Sequence, residues 1–564
     1  MRLTRVLVAA VALCVIAAPG VARAGRVVVL DVRAEAELDD TAGAVTLLLR
    51  SAIDGRGRAV VPPPELAKVA LPIDQPPALA AGMRALDAEL VIACDVARSG
   101  TGLSASILAV DATGAVLAAG TAAAGEGDAV GLTRAIATVL APTVGDLTVA
   151  TASVGQLRPF VVAAHAVARG DLAAAARAAA IGEPVVALRV SAIAAALRPG
   201  WAGAAADRAS ALAIAQVAGT PKDVLDLAPG ATPRERAARA LARLAGAALD
   251  DAARELAGKP GREPWLDVAA ARLAHARGDR AALTAAVTRL LATPQPFAPG
   301  LALIVALPAG AVAPDLEARA MAQAASDPAW ARLASVLGLR AASKGTLAAL
   351  AAVRVVDLDD GEVAQLEALA AQGAGLGNRD GLRLIAELAA RRADARAVAT
   401  AVQVWLAAAI DDPAAQLFRG RLALAALRLD EARDAFTAAH ADHELAQVAI
   451  ARGDWATAAT LLAGAPDDSI DKQLVAFQVA FGRGDLTAAG VALEAARARA
   501  PASGAVLRAR ALLLDKQGDA ERARADRALA DRVAPGTAST VDLSAAPTTG
   551  PAPGAGSGTA SATT

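Results

Sequence analysis

The 564-residue chain has no tyrosine, and aromatic residues make up only 2% of it. It contains two cysteines, three methionines and four histidines. So few aromatics argue against an interface anchored by a tight aromatic hot spot. Neither sign of charge is in excess: 56 Lys and Arg stand against 57 Asp and Glu. That balance excludes a chain-wide basic footprint for nucleic acid and an acidic tail. There is no Gly-x4-Gly-Lys-Ser/Thr loop and no Gly-x-Ser-x-Gly elbow. Gly125-Glu126-Gly127 with Gly131 is not a dinucleotide fingerprint, because the last glycine falls one residue late. What is abundant is apolar, 55% of the chain, with alanine foremost. Alanine has the highest helix propensity and loses no side-chain entropy, so the composition favours many helices packed closely through small side chains.

The first 24 residues read as an export signal. Arg2 and Arg5 precede an unbroken apolar run from Val6 to Ala18, Pro19-Gly20 breaks it, and Ala22-Arg23-Ala24 is a small-x-small cleavage site before Gly25. The run is short for a transmembrane helix; the alternative is an uncleaved amino-terminal anchor. Cys14 follows Leu13 rather than the small residue a lipobox cysteine requires. Cleavage leaves Cys94 alone, so the exported chain has no internal disulfide framework. Cys94 lies in the apolar run Leu90–Cys94 and is expected to be an inert core residue. Signal and composition together point to a bacterial envelope protein.

A small α/β region follows. Arg26–Val32 (RVVVLDV), Arg58–Val61, Glu89–Val96, Leu103–Val110 and Ala115–Thr121 have strand character. Leu38–Ile53, Ala78–Ala88 and Asp128–Val144 are expected to be helical, and Asp111-Ala112-Thr113-Gly114 is a hairpin signal. The expected order is β-α-β-α-β-β-β-α. With the words VVVLDV, AELVIACDV (88–96) and SILAVDATGAVL (106–117), residues 26–145 resemble the amino-terminal domain of TolB and the related CsgG-like lipoproteins. That resemblance implies assembly at the envelope and carries over no catalytic residue.

From Phe160 to about Val533 the pattern is helical. Gly-Asp turns at 170–171, 278–279, 453–454, 484–485 and 518–519 separate apolar runs, with Ala393 and Leu427 in the same slot. After Gly484 come Ala489, Leu493, Ala496 and Pro501. After Gly518 come Ala523, Ala530 and Pro535, with Arg527 breaking the series. After Gly453 come Ala458, Leu462 and Ala465, and after Leu427 come Ala432, Phe436 and Ala439. This resembles the tetratricopeptide repeat (TPR), in which small residues let paired helices approach and proline ends the unit. One pair cannot bury its own apolar face, so the units must stack. The match is best over 381–535 and degenerate over 158–380, with no register between about 300 and 380. Leu301–Leu307 is too short to span a bilayer and is expected to be a buried helix. Residues 536–564 read as a disordered tail.

The chemistry is sparse. His440 and His443, with Asp442 and Glu444, have a spacing that can place two metal ligands on one helix face, but no third ligand cluster lies near in sequence. They are expected to be solvated residues at a helix start. Asp39-Asp40, Asp250-Asp251, Asp359-Asp360, Asp411-Asp412 and Asp467-Asp468 sit where carboxylates complement helix dipoles. The Arg-Gly-Asp triplets are explained by capping rather than adhesion. Trp201, Trp265, Trp330, Trp405 and Trp455 are expected to fill cores.

The expectation is therefore a small α/β head followed by a mostly α-helical, TPR-like solenoid, joined by a short link (145–158) that few contacts need cross. No catalytic, cofactor-binding or metal residue is assigned, and no cofactor is expected. The expected role is a non-catalytic exported adaptor of the periplasm or envelope, presenting a concave groove to a protein or peptide. No nucleic acid and no membrane span after cleavage are expected. The alternative is an envelope enzyme with a site in 300–380.

Overall fold

A computed structural model describes residues 25–533, apart from 74, 169–170, 172–173, 176–177, 180–207, 209–210, 213–214, 217–219, 258–262, 294 and 327–329. The expected export signal (1–24), Trp201, the expected turn at Gly170 and the expected tail from 536 lie outside the described residues.

The head is built on five strands: β1 (Arg26–Val29), β2 (Arg33–Ala34), β3 (Ala88–Ser99), β4 (Gly102–Asp111) and β5 (Val116–Gly125). Their order is β1-β3-β4-β5, and β2 also pairs with β3. Both β1 and β2 run parallel to β3, whereas β3, β4 and β5 form an antiparallel meander. β3 reads as a continuous apolar run because both of its faces are covered. Leu90, Ile92, Cys94 and Val96 enter one core with the helices Asp39–Gly55 and Ala129–Val144. Val91 and Ala93 enter a second core with Leu79 and Met83 of the helix Pro76–Ala85. The expected hairpin is present: Gly114 has φ +82°, and the Asp111 carboxylate accepts from the Thr113 and Ala115 backbone N–H groups.

One expected strand is reduced. Arg58–Val61 contributes only an isolated parallel bridge, Val60 to Val27. Pro62, Pro63 and Pro64 follow at once and supply no N–H to extend a ladder.

The array is a run of paired helices. In its carboxyl half the first helices are Arg379–Arg391, Pro413–Ala425, Asp442–Ala451, Ile470–Gly482 and Gly504–Lys516. Their partners are Ala395–Ala408, Leu429–Ala439, Trp455–Leu461, Leu486–Arg499 and Ala520–Val533. Ala432, Phe436, Ala458, Ala489, Ala496, Ala523 and Ala530 are all fully buried, as the repeat register requires. The turn slot is left-handed at every described position read from the sequence: Gly278, Gly453, Gly484 and Gly518, but also Ala393 and Leu427, both at φ +55°. Asp279, Asp454, Asp485 and Asp519 each cap the next helix through a backbone N–H three residues on.

Between 298 and 380 the described chain is also helical. Ala298–Ala306, the expected apolar helix, lies in a core with Leu316, Leu333, Leu337 and Leu350. No helix among the described residues is long and apolar enough to cross a membrane.

The expectation of few contacts between head and array is not met. The helix Val154–Ala168 packs Phe160 and Ala163 against Leu47 of the head helix Asp39–Gly55. Glu126 donates its backbone N–H to the Ala390 carbonyl at 3.1 Å. Ala502 and Leu529 lie in the second head core. These contacts seat the head directly against the array.

Candidate functional site at the seam

The seam follows from where the first helices begin and end. Arg391 ends one, and Arg421 lies near the end of the next. His443 and Asp471 each occupy the second position of theirs, and Ala502 precedes the last. From the head, the residues beyond β1 and β2 and the two ends of the hairpin face them.

At the amino-terminal end of the seam, Arg158 links three segments. Its guanidinium donates to Asp40 of the head and, at 3.2 Å, to the fully buried Asp357 of the array. Ser335 Oγ lies 3.3 Å from the other Asp357 oxygen, and the Asp357 carbonyl accepts from Arg332 and from Ser153 Oγ. Arg332 also pairs with Glu362. The polar residues of 300–380 in this knot thus pair with one another and with Arg158 around the fully buried Asp357.

In the middle, Arg421 pairs with Glu444 at 3.0 Å and reaches Glu126 at 3.6 Å. Arg98, at the end of β3, lies 3.5 Å from Glu126 and 3.4 Å from Glu37. Burial pushes the Glu126 and Glu444 carboxyls up despite these cations. Gly125 is why the hairpin fits: a Cβ there would stand 1.7 Å from the Arg391 carbonyl oxygen. The glycines that failed as a dinucleotide fingerprint serve this close approach and the adjoining turn, where Gly127 has φ +73°.

Next comes the cluster richest in chemistry. His443 Nε2 is 3.3 Å from Glu35 Oε2, 3.5 Å from Asp471 Oδ2 and 3.2 Å from the Gln447 side-chain amide. Bonding to Glu35 outweighs burial and raises the His443 imidazole to about 9. Burial pushes Glu35 up, but the bond and charge of His443 outweigh it and leave that carboxyl below its usual value. Burial, reinforced by Glu35, carries Asp471 up to about 7. These three side chains bring one potential ligand atom each to within 4.8 Å of one another. Beside them a cleft of about 510 Å³ is lined by Asp31, Arg33, Glu35, Asp39, His165 and His443, among others.

Beyond the cluster, Asp95 of β3 is buried toward the array, and burial raises its carboxyl to about 8. The Ala502 backbone N–H and the Arg33 charge offset only part of that.

The structure separates the two histidines that the sequence placed together. His440 is exposed and left-handed at φ +54°, closing a helix, while His443 is half-buried against the head rather than solvated. Glu35 and Asp471 carried no signal, because their partner lies over 400 residues away in one case and in the next helix pair in the other. Among the acidic pairs, Asp40 joins the Arg158 link, Asp359 and Asp412 cap helices, and Asp250 pairs with Arg277. Trp405 is buried against Phe418, and Trp265 packs edge-on to Phe297 with Arg234 over its ring. Cys94 is buried and unpaired, with its thiol pushed up by burial.

No protein-family model matches the chain, and no curated protein matches it. Among solved structures it is similar to the APC/C hetero-tetramer Cut9–Hcn1, at 12% identity and TM-score 0.25 over 67% of this chain and 79% of that one. It is also similar to Naa15/Naa10 bound to HypK-THB, at 13% and 0.26 over 67% and 69%. The human IFIT1 dimer with PPP-AAAA gives 14% and 0.21 over 56% and 94%. Likenesses this distant carry no argument, and the fold rests on the helix pairs and sheet described above.

Proposed function

We propose that the protein is a non-catalytic exported scaffold of a bacterial cell envelope, with a TolB amino-terminal/CsgG-like head held by a TPR-like array that binds a protein or peptide partner. The observation that carries this reading is the use of the array's first helices. Arg421, His443, Glu444 and Asp471 are committed to one another and to the head. Partner contact then falls to the second helices, where Val404 and Val491 are 53% and 69% exposed. Export is supported by the charged start, apolar run and Ala-x-Ala site of residues 1–24.

Two measurements test the reading. Amino-terminal sequencing of the mature protein should begin at Gly25; full-length chain recovered from cytosol would overturn export. Photo-crosslinkers placed at Val404 and Val491 should capture a specific envelope protein or peptide in cells, while one at Arg421 should give only crosslinks within the chain. An intermolecular product at Arg421 with none at the outer positions would refute the assignment.

A further inference from the structure

We propose that Glu35, His443, Asp471 and Gln447 form a binding site for one divalent transition-metal ion, zinc by preference, which clasps the head to the array. The spacings around His443 Nε2 match those of such a site. Tetrahedral zinc, with bonds of about 2.0–2.2 Å to nitrogen and oxygen, holds its donor atoms roughly 3.3–3.5 Å apart. Around His443 Nε2 the neighbouring side-chain atoms stand at 3.2 Å (Gln447), 3.3 Å (Glu35) and 3.5 Å (Asp471). The nitrogen and oxygen of the Gln447 amide are interchangeable by a flip about its last bond. With the oxygen turned inward, Gln447 would add a fourth donor to the three whose ligand atoms lie within 4.8 Å of one another.

A second observation is independent of those spacings. Asp471 Oδ2 is buried and accepts no hydrogen bond. It faces the His443 imidazole nitrogen at 3.5 Å, within ion-pair range but without a hydrogen bond. A buried acceptor left without a partner is costly, and a metal ion satisfies it together with the second carboxylate. In the metal-free protein a proton on His443 holds the two carboxylates together. The ion would displace that proton, releasing about one per metal bound.

The donor set selects the ion. One imidazole with carboxylates and an amide suits zinc and its first-row neighbours. Magnesium and calcium prefer all-oxygen shells with more ligands. The scaffold is suitably firm: His443 and Gln447 lie one turn apart on the helix Asp442–Ala451, and Asp471 is in the first turn of Ile470–Gly482. Glu35 directly follows β2. The adjoining 510 Å³ cleft, which Glu35 and His443 line, gives an ion access. Because Glu35 belongs to the head and the other three to the array, occupancy ties the two parts together.

The test uses the intact mature chain, stripped with chelator and titrated with zinc chloride by calorimetry. Cobalt(II) serves as a spectroscopic substitute. One zinc per chain is expected, uncompeted by millimolar magnesium, and cobalt should give the intense visible bands of a tetrahedral site. His443→Ala should abolish both signals. Asp471→Asn, nearly isosteric and checked for folding by circular dichroism, should remove the tetrahedral cobalt spectrum. Gln447→Ala should weaken zinc by about 10–100-fold, the scale of a supporting ligand. His440→Ala should change nothing. Zinc should raise the melting temperature of the wild type but not of His443→Ala. The proposal is overturned if wild type shows no tetrahedral cobalt spectrum, if folded Asp471→Asn keeps it, or if His440→Ala loses it.

Discussion

The head fills both faces of its sheet with large side chains, whereas the array closes its helix contacts with alanine. Val27, Leu48, Ile92 and Ile107 are typical of the first; Ala432, Ala458, Ala489 and Ala523 of the second. The seam between them has a little apolar packing, Phe160 against Leu47 and Ala502 in the second head core, and adds a third kind of contact. Its polar contacts are Arg158 with Asp357, Arg421 with Glu126, and His443 with Glu35, joined by the bare backbone of Gly125. Apolar burial is non-directional and holds each part together. Charge pairs and a close backbone approach fix the angle at which one part sits on the other. Packing should therefore answer to volume in the two interiors and to partner identity at the seam.

The largest expected effect is at the seam. Arg158→Met leaves Asp357, with no exposed surface, without its main cation. Removing one member of a buried pair costs about 3–5 kcal/mol. Chemical denaturation should show the midpoint falling, with protease cleavage appearing between head and array before either part unfolds. An unchanged midpoint would mean that the ionic knot does not hold the parts together.

Asp95 offers a second way to separate the seam from the interiors, through pH. Its carboxyl titrates near the usual 3.8 when unfolded and near 8 when folded, because burial against the 502 segment penalises the charge. Between those values the folded state holds the extra proton, so stability falls as pH rises from about 4 to about 8 and levels off above. Asp95→Asn is nearly isosteric and removes the charge. It should flatten this part of the profile and, above pH 8, gain on the order of a few kcal/mol. Urea midpoints measured across that range decide it; a slope unchanged by the substitution would show that another group is responsible.

Two small-residue contacts then compare the parts directly. Gly125→Ala drives a Cβ into the Arg391 carbonyl, and Ala489→Leu overpacks the contact with Phe477, Leu493 and Val506. Each should cost about 1–3 kcal/mol. They should differ in kind. Gly125→Ala should increase amide exchange across the seam, while Ala489→Leu should do so within the last repeats only. Arg499→Lys, at an exposed position, should be near neutral.

Much of each interior was legible in the sequence, because helix and strand periods and small-residue spacings are local signals. The Asp111–Gly114 hairpin, the capping aspartates and the left-handed slots at Ala393 and Leu427 all follow from such patterns. The seam was not legible. Its residues come from points as far apart as Glu35 and His443, and nothing in the local pattern of either predicts the other. Gly125 was visible only as a glycine in a near-miss motif. The meaning of that glycine lies in a backbone carbonyl that the chain reaches 266 residues later. His440 is exposed, as expected, at a left-handed helix end; it was His443 that departed from the reading, because its burial against Glu35 of the head left no local signal. The array was read as presenting a free groove because stacked pairs make one by themselves; that its first helices meet the head shows only in contacts between distant residues.

The smallest effect concerns the array alone. Leu427 occupies the slot where Gly453, Gly484 and Gly518 stand in other units, at φ +55° and 72% exposed. A left-handed conformation costs an L-residue about 1–2 kcal/mol, and glycine avoids this at about 0.5–1 kcal/mol of extra chain entropy. An exposed leucine loses little packing when it is removed. Leu427→Gly should therefore stabilise the turn between Pro413–Ala425 and Leu429–Ala439 by about 0.5–1 kcal/mol. The gain should appear as a raised midpoint for the array with amide protection across the seam unchanged. Ala393→Gly is the internal control, since Ala393 shares the slot and the same φ. If Leu427→Gly instead destabilises while Ala393→Gly stabilises, the leucine side chain packs within the array more than its exposure suggests, and the left-handed strain at that slot is smaller than the packing it would lose.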